Sequence, residues 1–516
     1  MSNSVDFKIH PSDLNNLSAQ RNAIIEQSPI ELPEHFNFKI TRRNIDARNK
    51  QVWYVLRAEI IEFSEEKKIT SILSEFKNVS HSKPVHIIGA GPCGYFAALQ
   101  LIKLGLKPII LDRGKDVQER RRDLRAIQQE GIVNPNSNYC FGEGGAGTYS
   151  DGKLYTRSDK RGNIKYILQL LVEHGASEDI MIDVHPHIGS NKLPELVKKM
   201  RETILQYGGE IHFNQCLEDI LIKDQKIKSI RCTHAEFDVD KLILCTGHSA
   251  RDIYELLQRK QIEIHCKPFA LGVRIEHPQS LIDEIQYKQS IRNENLPAAS
   301  YSLSCQLDDV GVFSFCMCPG GLIVPAATSP GEIVVNGMSL SRRDSPFANS
   351  GMVTEVNEKD FIHHSKKGAL QGMYFQKEIE NKVFNSSDGT QRAPAQKLMD
   401  FLHNKISTTL PESSYIPGLL SASMDELLPK NIAMRIKNGL LEFGKRMPAY
   451  LSNEAVLLAT ESRTSAPVRI PRHVETCEHT HLNGLYPAGE GAGYAGGILS
   501  AALDGIRVAD AIAKNI

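Results

Sequence analysis

Two cysteines stand two positions apart in this chain, at Cys316 and Cys318, within the segment Cys316–Gly321. A thiol reacts as its thiolate, so a catalytic role requires a lowered pKa. The C-x-C spacing is poor for a relaxed disulfide and supplies only two metal ligands. A free cysteine is also often a small buried apolar residue. The sequence therefore leaves a catalytic and a structural thiol both open, and it predicts no metal site.

Three other side chains have types that suit acid–base or anion chemistry. Lys153 ends a glycine-rich segment and is a candidate proton donor, with His248 as a weaker one, because a lone histidine is more often structural. Arg463 lies in the polar segment Glu461–Ile470 and is a candidate anchor for an acidic ligand. The alternative for Arg463 is an ordinary ion pair in a solvated loop.

A dinucleotide-binding turn is the strongest motif of the chain. An apolar strand, Val85–Ile88, precedes a G-x-G-x-x-G pattern, a helix follows it, and a second strand ends in an acid at Asp112. In such a turn one glycine permits the bend, one lets a pyrophosphate approach and one lets the helix pack on the strand. The phosphates then lie at the helix N-terminus, and the acid accepts hydrogen bonds from a ribose. The residues of the turn are Gly89, Ala90, Gly91, Pro92, Cys93 and Gly94.

Other motifs distinguish FAD from NAD. Asp112-Arg113-Gly114 resembles the end of the second strand in FAD proteins of the glutathione-reductase superfamily, and Leu242–Gly247 resembles their A-T-G motif, with Cys245 in place of alanine. Gly484–Gly491 is similar to their G-L-x-x-x-G-D motif, with Glu490 in place of aspartate. The resemblance implies that FAD is bound non-covalently and that the backbone near Leu217 meets the adenine. It adds the following residues to the cofactor site: Thr246, Gly247, Gly489 and Glu490.

Two glycine-rich segments complete the predicted cofactor site. Phe141–Lys153 is rich enough in small residues for its backbone amides to line a pocket, and it is similar to a loop beside the flavin in related proteins. Gly491–Ile498 precedes a helix whose N-terminus would stabilise an anionic reduced ring. A flexible surface loop is the alternative for the first segment. The predicted binding residues of both are Gly144, Gly145, Ala146, Gly147, Thr148, Asp151, Gly496, Gly497 and Ile498.

Over nearly its whole length the chain resembles a family of FAD-dependent, NAD(FAD)-utilising dehydrogenases. The fold implied is α/β, a Rossmann-like FAD-binding domain of glutathione-reductase type with an inserted mixed α+β domain and a small N-terminal α+β domain. The resemblance does not define a substrate. The segments that carry it are Asp46–Arg48, Phe141–Lys153, Lys267–Arg274, Cys316–Gly321, Asn336–Ser339, Glu461–Ile470 and Gly489–Ile498.

Composition shifts along the chain predict four segments. Residues 1–83 form the N-terminal domain, residues 84–263 and 471–516 form the two parts of the FAD-binding domain, and residues 264–470 form the inserted substrate or cap domain. Within the first segment we expect a basic turn at Arg42–Arg48 between two strands, and a polar helix over Glu65–Lys77.

The bulk composition excludes several classes of protein. The chain of 516 residues has 61 Lys+Arg and 61 Asp+Glu, so its charge does not favour nucleic acid or an anionic membrane as partner. Its apolar runs are too short to span a bilayer, and its start does not resemble a secretory signal. Ten scattered cysteines in such a chain are typical of reduced thiols, so the cytoplasm is the expected compartment.

The sequence thus predicts an FAD-dependent oxidoreductase that transfers a hydride through flavin N5 to or from an unidentified small molecule. NAD(P)H is a possible electron donor, but no second dinucleotide turn follows Gly247. Two alternatives stay open: an RNA-modifying flavoprotein that uses the Arg42–Arg48 turn, and a non-catalytic FAD-bound redox sensor. The direction of the reaction and the oligomeric state are not predicted.

Overall fold

The N-terminal part of the protein is a three-stranded antiparallel sheet with one helix. The structure is a computed structural model that describes residues 4–33, 35–61, 70–155 and 162–515. Its first elements are β1 (Ser4–Ile9), α1 (Leu17–Gln27), β2 (Asn37–Asp46) and β3 (Trp53–Ile61). The strands pair in the order β1-β3-β2. Alternate residues of β3 are buried, as expected for a sheet with one face on a core.

Two sequence predictions for this part need correction. The basic segment is not a turn from Arg42 onwards, because β2 continues to pair with β3 as far as Asp46. Two of its three arginines are also paired: Arg43 donates to Asp183 at 2.6 Å, and Arg48 donates to Asp46 at 2.8 Å. The helix predicted over Glu65–Lys77 lies partly outside the described residues, and its described part contains a single 3-10 turn, at Ile72–Glu75.

A five-stranded parallel sheet organises the next part of the chain. Its elements are β4 (Pro84–Ile88), α2 (Pro92–Leu104), β5 (Lys107–Leu111), α3 (Val117–Gln129), α4 (Ile164–Glu173), α5 (Leu193–Gln206), β6 (Glu210–His212), β7 (Leu217–Lys223), β8 (Lys226–Cys232), β9 (Glu236–Asp238), β10 (Leu242–Leu244) and α6 (Arg251–Arg259). Strands β7, β8 and β9 form a separate antiparallel sheet.

The end of the chain returns to the parallel sheet with β22 (Leu485–Pro487) and α12 (Ile498–Ala513). The strand order is β22-β10-β4-β5-β6, and all of the pairs are parallel. Helix α12 packs against α2, and a Cβ at Gly505 would lie 2.2 Å from the carbonyl oxygen of Cys93. Glycine is therefore required where the two helices cross.

A seven-stranded sheet dominates the segment between these two parts. Its order is β13-β14-β17-β12-β20-β18-β19, antiparallel except for the last pair. The elements of the segment are β11 (His265–Cys266), β12 (Phe269–Pro278), α7 (Gln279–Tyr287), β13 (Ser304–Leu307), β14 (Val310–Cys318), β15 (Gly321–Pro325), β16 (Val335–Ser339), β17 (Phe347–Val356), α8 (Gln371–Asn385), β18 (Ala393–Lys397), α9 (Leu398–Leu402), β19 (Leu419–Ser421), α10 (Met424–Leu427), α11 (Lys430–Arg446), β20 (Val456–Glu461) and β21 (Val468–Arg469).

Residues that share a hydrophobic core are not always close to one another in the sequence. Buried residues of the N-terminal sheet, such as Phe7 and Leu56, belong to the same core as residues of the seven-stranded sheet, such as Leu271. Ile72 and Val79 belong instead to the core around the parallel sheet. The four segments expected from the sequence therefore stay a prediction. No helix within the described residues has the length and apolarity to cross a membrane.

Candidate functional site

The predicted motifs meet at one edge of the parallel sheet. The carboxyl ends of parallel strands lie at the same edge, which is where such sheets bind ligands. The amide of Gly89 donates to Leu111, the amide of Cys245 donates to Ile88 and the amide of Ala488 donates to Leu244, at 2.8 to 3.0 Å. A cavity of approximately 420 Å³ opens at this edge and extends to the seven-stranded sheet. This is within the range of cofactor and ligand sites.

The structure brings most of the predicted site residues to this cavity. Those that line it are Gly89, Gly91, Pro92, Cys93, Asp112, Arg113, Gly145, Ala146, Gly147, Asp151, Lys153, Leu217, Cys316, Thr246, Gly247, Arg463, Glu490, Gly496, Gly497 and Ile498. Those that do not line it are Ala90, Gly94, Gly114, Gly144, Thr148, Cys318 and Gly489.

Several of the residues away from the cavity surface instead hold the loops that form it. The Asp112 carboxylate accepts hydrogen bonds from the amides of Ala90 and Gly114, both at 2.8 Å. Each carboxylate oxygen has a second lone pair, so acceptor capacity for a ribose remains. The Gly144 amide donates to Ala90 at 2.8 Å, and the Gly489 amide donates to Asp504 at 2.8 Å.

Two helix N-termini face the cavity without a side-chain cap. Helix α2 is preceded by Gly91 and helix α12 by Gly497, and neither has a side-chain hydrogen bond to its first amides. A Cβ built at Gly496 or Gly497 would meet nothing within 4 Å, and one at Gly91 would meet only Gly145, at 3.9 Å. Free amides and the helix dipole favour an anion at such ends. The residues present therefore fit a dinucleotide with a pyrophosphate.

Arg120 on α3 holds the glycine-rich loop, a role that no sequence pattern indicated. Its side chain is fully buried and donates to the carbonyl oxygens of Asn138, Glu143 and Gly145, at 2.8, 2.7 and 2.9 Å. In the sequence Arg120 is one of several charged residues of a polar helix, where a solvated side chain is the ordinary expectation. Only the fold distinguishes it from Arg121 and Arg122, which are exposed.

Replacing Arg120 with alanine is expected to loosen this loop and weaken cofactor binding. The carbonyl groups of Asn138 and Gly145 would lose their donor, whereas that of Glu143 would keep the Thr148 hydroxyl, and each unpaired buried polar group costs about 1–3 kcal/mol. The free energy of unfolding and the FAD dissociation rate measure the effect. Arg122→Ala is the matched control on the exposed face of α3, and equal behaviour of the two variants would contradict the assigned role.

A polar cluster lies where the cavity meets the seven-stranded sheet. Lys153 Nζ is 3.9 Å from Cys316 Sγ and 4.0 Å from Asp151 Oδ2, and it donates to the carbonyl oxygen of Met317. The sequence did not assign a role to several residues that line this end, although some lie in segments that carried the family resemblance. These residues are Phe315, Asn336, Gly337, Glu461 and Thr464.

Arg274 on β12 connects the parts of this cluster. Its guanidinium is buried and donates to Asn349 at 2.8 Å, to Glu461 Oε2 at 2.8 Å and to the carbonyl oxygen of Cys316 at 2.9 Å. A Cβ at Gly337 would lie 2.0 Å from Arg274 Nη2, so this position must be glycine for the guanidinium to fit. Arg274 thus fixes both the backbone of Cys316 and the carboxylate of Glu461.

The electrostatics of the cluster favour a thiolate at Cys316 and a proton on Glu461. Hydrogen bonding by the Cys318 thiol, together with the cations Lys153 and Arg274, lowers the pKa of Cys316 well below its ordinary value. Burial raises the pKa of Glu461 to about 7, although Arg274 opposes this change. All ten cysteines are unpaired, so Cys316 and Cys318 are present as thiols rather than as a disulfide.

Of the two roles that the sequence left open for Arg463, the structure shows the ion pair, but in a buried position rather than in a solvated loop. Its guanidinium donates to Glu332 at 2.7 Å, to Glu380 at 2.8 and 3.0 Å and to Thr328 at 2.6 Å. Arg251 donates to the same two carboxylates, at 3.1 and 2.8 Å. The buried Arg463, the partly buried Arg251 and two buried glutamates therefore neutralise one another. The charge of Arg463 is compensated within the protein rather than available to an acidic substrate.

A group of metal-binding residue types lies outside the cavity. The Nε2 atoms of His363 and His364 are 3.0 and 2.7 Å from the same carboxylate oxygen of Glu378. Among the described residues this is the group whose ligand atoms lie close enough to hold an ion. His363 and Glu378 are about half exposed, and none of the three residues lines the cavity.

Comparison with known proteins shows which family the chain belongs to. Residues 268–464 match the model of a family described as "FAD-dependent protein, C-terminal domain-like", and residues 1–61 match a domain of unknown function. An uncharacterized protein of Clostridium beijerinckii is 41% identical over 497 residues, which is 92% of each chain. The chain belongs to this family of FAD-dependent proteins. FAD is therefore its cofactor, and its broad class is that of the FAD-dependent oxidoreductases.

Solved structures resemble the family member only distantly. Glycine oxidase from Geobacillus kaustophilus has a TM-score of 0.36 and 12% identity, covering 84% of this chain and 95% of its own. L-proline dehydrogenase from P. horikoshii has a TM-score of 0.33 and 12% identity, covering 84% and 94%. Scores this low carry no argument about substrate or reaction.

Proposed function

We propose that the protein is an FAD-dependent dehydrogenase or reductase that exchanges a hydride between flavin N5 and a small organic substrate. The observation that carries the proposal is that one cavity contains both the dinucleotide-binding turn at Gly89 and the cluster of Lys153, Cys316 and Glu461. A cofactor site and a set of acid–base side chains thus share one enclosed space, which an oxidoreductase requires.

In this proposal the two ends of the cavity hold different parts of the cofactor. The Gly91 turn and the N-terminus of α2 bind the pyrophosphate, and Asp112 and Leu217 bind the adenosine, as in the glutathione-reductase type of domain. The N-terminus of α12, at Ile498, lies beside the flavin. Bound FAD supplies a two-electron acceptor or donor of hydride. The protein contributes orientation, exclusion of water and the charged groups of the cluster.

The proposal leaves NAD(P)H as a possible electron donor without a Rossmann unit of its own. After Gly247 the chain continues into α6 and then into the strands of the antiparallel sheet. The RNA-modifying alternative has little support, because Arg43 and Arg48 of the basic segment are engaged by carboxylates. A measurement of turnover distinguishes an enzyme from the non-catalytic redox sensor.

The purified protein is expected to show an oxidised-flavin spectrum that bleaches when a donor is added without oxygen. NADH and NADPH are tested first, followed by a panel of small organic donors. Absence of a flavin band after reconstitution with FAD would contradict the cofactor assignment. A bound flavin that no member of the panel reduces would contradict the proposed enzyme and favour the sensor.

A further inference from the structure

Glu461 differs from Asp112 and Asp151, which also line the cavity, in what its oxygens contact. Both carboxylate oxygens of Asp112 accept hydrogen bonds from backbone amides, and both carboxylate oxygens of Asp151 accept hydrogen bonds from the Arg343 guanidinium. The carboxyl group of Glu490 is hydrogen-bonded by the amide of Gly497. Glu461 accepts from Arg274 through Oε2, whereas no residue in the described ranges donates to its Oε1. One oxygen of Glu461 is thus left for a ligand in the cavity that it lines.

The position of this carboxylate is fixed by three strands. It ends β20, Arg274 holds it from β12, and Gly351 of β17 lies beside it. A Cβ at Gly351 would lie 3.3 Å from Glu461 Cγ and 3.2 Å from Phe315 Cβ, so glycine lets the two side chains approach the cavity together. A group held on strands is positioned more accurately than one on a loop.

The charged and titratable groups around Glu461 come from several elements. Arg274 faces it from β12, and two neighbouring thiols lie on β14, of which Cys316 acts on Glu461. The loop after the glycine-rich segment adds Lys153, with the Asp151–Arg343 ion pair behind it. The two thiols are those of Cys316 and Cys318. The cluster thus places two fixed cations, Lys153 and Arg274, beside two acids that can each give up a proton, Cys316 and Glu461.

We propose that Glu461 is the proton-transfer group of the site: its Oε1 exchanges a proton with a hydroxyl or amino group on the substrate carbon that exchanges the hydride. This inference rests on the proposed function. It defines the substrate class as primary or secondary alcohols or amines, or, in the reverse direction, the corresponding carbonyl compounds or imines.

The step balances in both electrons and protons. In the oxidising direction the C–H bond breaks, and its hydrogen leaves with both electrons to the bound FAD. The O–H or N–H bond breaks, its proton moves to Oε1 of Glu461, and its electron pair forms the C=O or C=N bond. The substrate loses two electrons and the FAD gains them. Reduction of a carbonyl compound or imine reverses each movement, with Glu461 as the acid.

The protonation of Cys316 and that of Glu461 depend on each other, because negative charge on one side chain raises the pKa of the other. With a pKa near 7, Glu461 can both hold and release a proton at neutral pH, which is what a general acid–base group requires. Two acids coupled in this way titrate as a pair. The state of Cys316 therefore reports on Glu461 without any turnover.

The first test measures the alkylation rate of Cys316 by iodoacetamide against pH in the FAD-loaded protein, resolved by peptide mass spectrometry. Because Cys316 is already a thiolate when Glu461 ionises near pH 7, the alkylation rate of the unaltered protein is expected to change in a second step near pH 7, and Glu461→Gln is expected to lose that step. Glu276→Gln is the matched control, because Glu276 is a buried glutamate of β12 that bonds Ser414 outside the cavity. A Glu461→Gln profile that superimposes on that of the unaltered protein would overturn the inference.

The second test measures reduction of the flavin by the alcohol or amine of the donor panel that bleaches it fastest. Glu461→Gln is expected to lower kcat by about 10²- to 10⁴-fold, with a small change in KM and loss of the limb of the pH profile near 7. If the variant is reduced at the unaltered rate, the inference fails and the proposed function stands. If alcohols and amines are inert but other donors bleach the flavin, the substrate class is wrong. If no donor bleaches it, the proposed function fails.

Discussion

Replacing Gly91 with valine is expected to abolish FAD binding while the protein still folds. The backbone at Gly91 has a φ of −79° and a ψ of −175°, an extended conformation that valine adopts readily. The only heavy atom near a Cβ there is Gly145 Cα, at 3.9 Å. The new side chain would therefore occupy open space in front of α2, where the phosphates bind.

The expected loss follows from the hydrogen bonds that the side chain would block. A hydrogen bond to a charged group contributes about 1.5–3 kcal/mol. Losing two of them raises the FAD dissociation constant by about 10²- to 10⁴-fold. Titration of the apoprotein with FAD, followed by flavin fluorescence, measures this constant. Gly311→Val on β14 is the control, since Gly311 also lacks a positive φ and lies outside the cavity. A Gly91→Val protein that purifies with stoichiometric FAD would refute the assignment of the turn.

Replacing Glu380 with glutamine is expected to cause the largest loss of stability. Glu380 is fully buried and accepts hydrogen bonds from Arg251, Arg463 and Ser462, at 2.6 to 3.0 Å. Its neutralisation leaves the buried guanidinium of Arg463 and the partly buried one of Arg251 with one carboxylate, that of Glu332, between them. Breaking a buried ion pair from one side costs about 3–5 kcal/mol. Denaturant unfolding measures the difference.

Glu378→Gln provides the control for this prediction. Glu378 is two residues away on the same helix, but its side chain is 53% exposed. Its replacement is expected to change the free energy of unfolding by less than about 1 kcal/mol. If both variants unfold at the same denaturant concentration, the four-residue network does not stabilise the protein as inferred.

The same network predicts how stability depends on pH. Burial by itself would raise the pKa of Glu380, but Arg251 and Arg463 lower this pKa to about 2, from 4.5 for a free glutamate. A carboxyl group with a lowered folded-state pKa stabilises the protein above its unfolded-state pKa, and the contribution is lost as the pH falls through the interval between the two values. The stability difference between the unaltered protein and Glu380→Gln is therefore expected to shrink between pH 4.5 and about 2. A constant difference would contradict the lowered pKa.

The local elements of the dinucleotide-binding part could be predicted from the sequence. The helix and the second strand expected after the turn are present as α2 (Pro92–Leu104) and β5 (Lys107–Leu111), and Asp112 follows β5 directly. Short apolar runs between glycines identify buried parallel strands, and a glycine closes the helix at its C-terminus. The turn at Gly89 could be found for the same reason, because all its requirements are contained in one stretch of sequence.

The opposite end of the cavity could not be predicted, because its residues meet only through the sheet order. Arg274, Cys316 and Glu461 lie on strands that are far apart in the chain and come together in the seven-stranded sheet, where β12 pairs with β20 and β17 lies between β12 and β14. The function of Arg463 depended similarly on Glu332 and Glu380, which no local pattern connects to it. A sequence does not show which residue a charged side chain will pair with. It therefore does not show whether that side chain is buried or exposed.

The shared core of the N-terminal sheet has a consequence for synthesis on the ribosome. The apolar face of β1 and β3 packs on residues beyond Phe269, and Tyr54 donates to the carbonyl oxygen of Asn295. Roughly 230 residues separate Ile61 from Asn295, and at 5–20 residues per second their translation takes on the order of ten to fifty seconds. During that time the first strands are outside the ribosome without their packing partners. The nascent chain thus exposes an apolar surface that a chaperone recognises, and its first part completes its folding only after the middle of the chain has emerged.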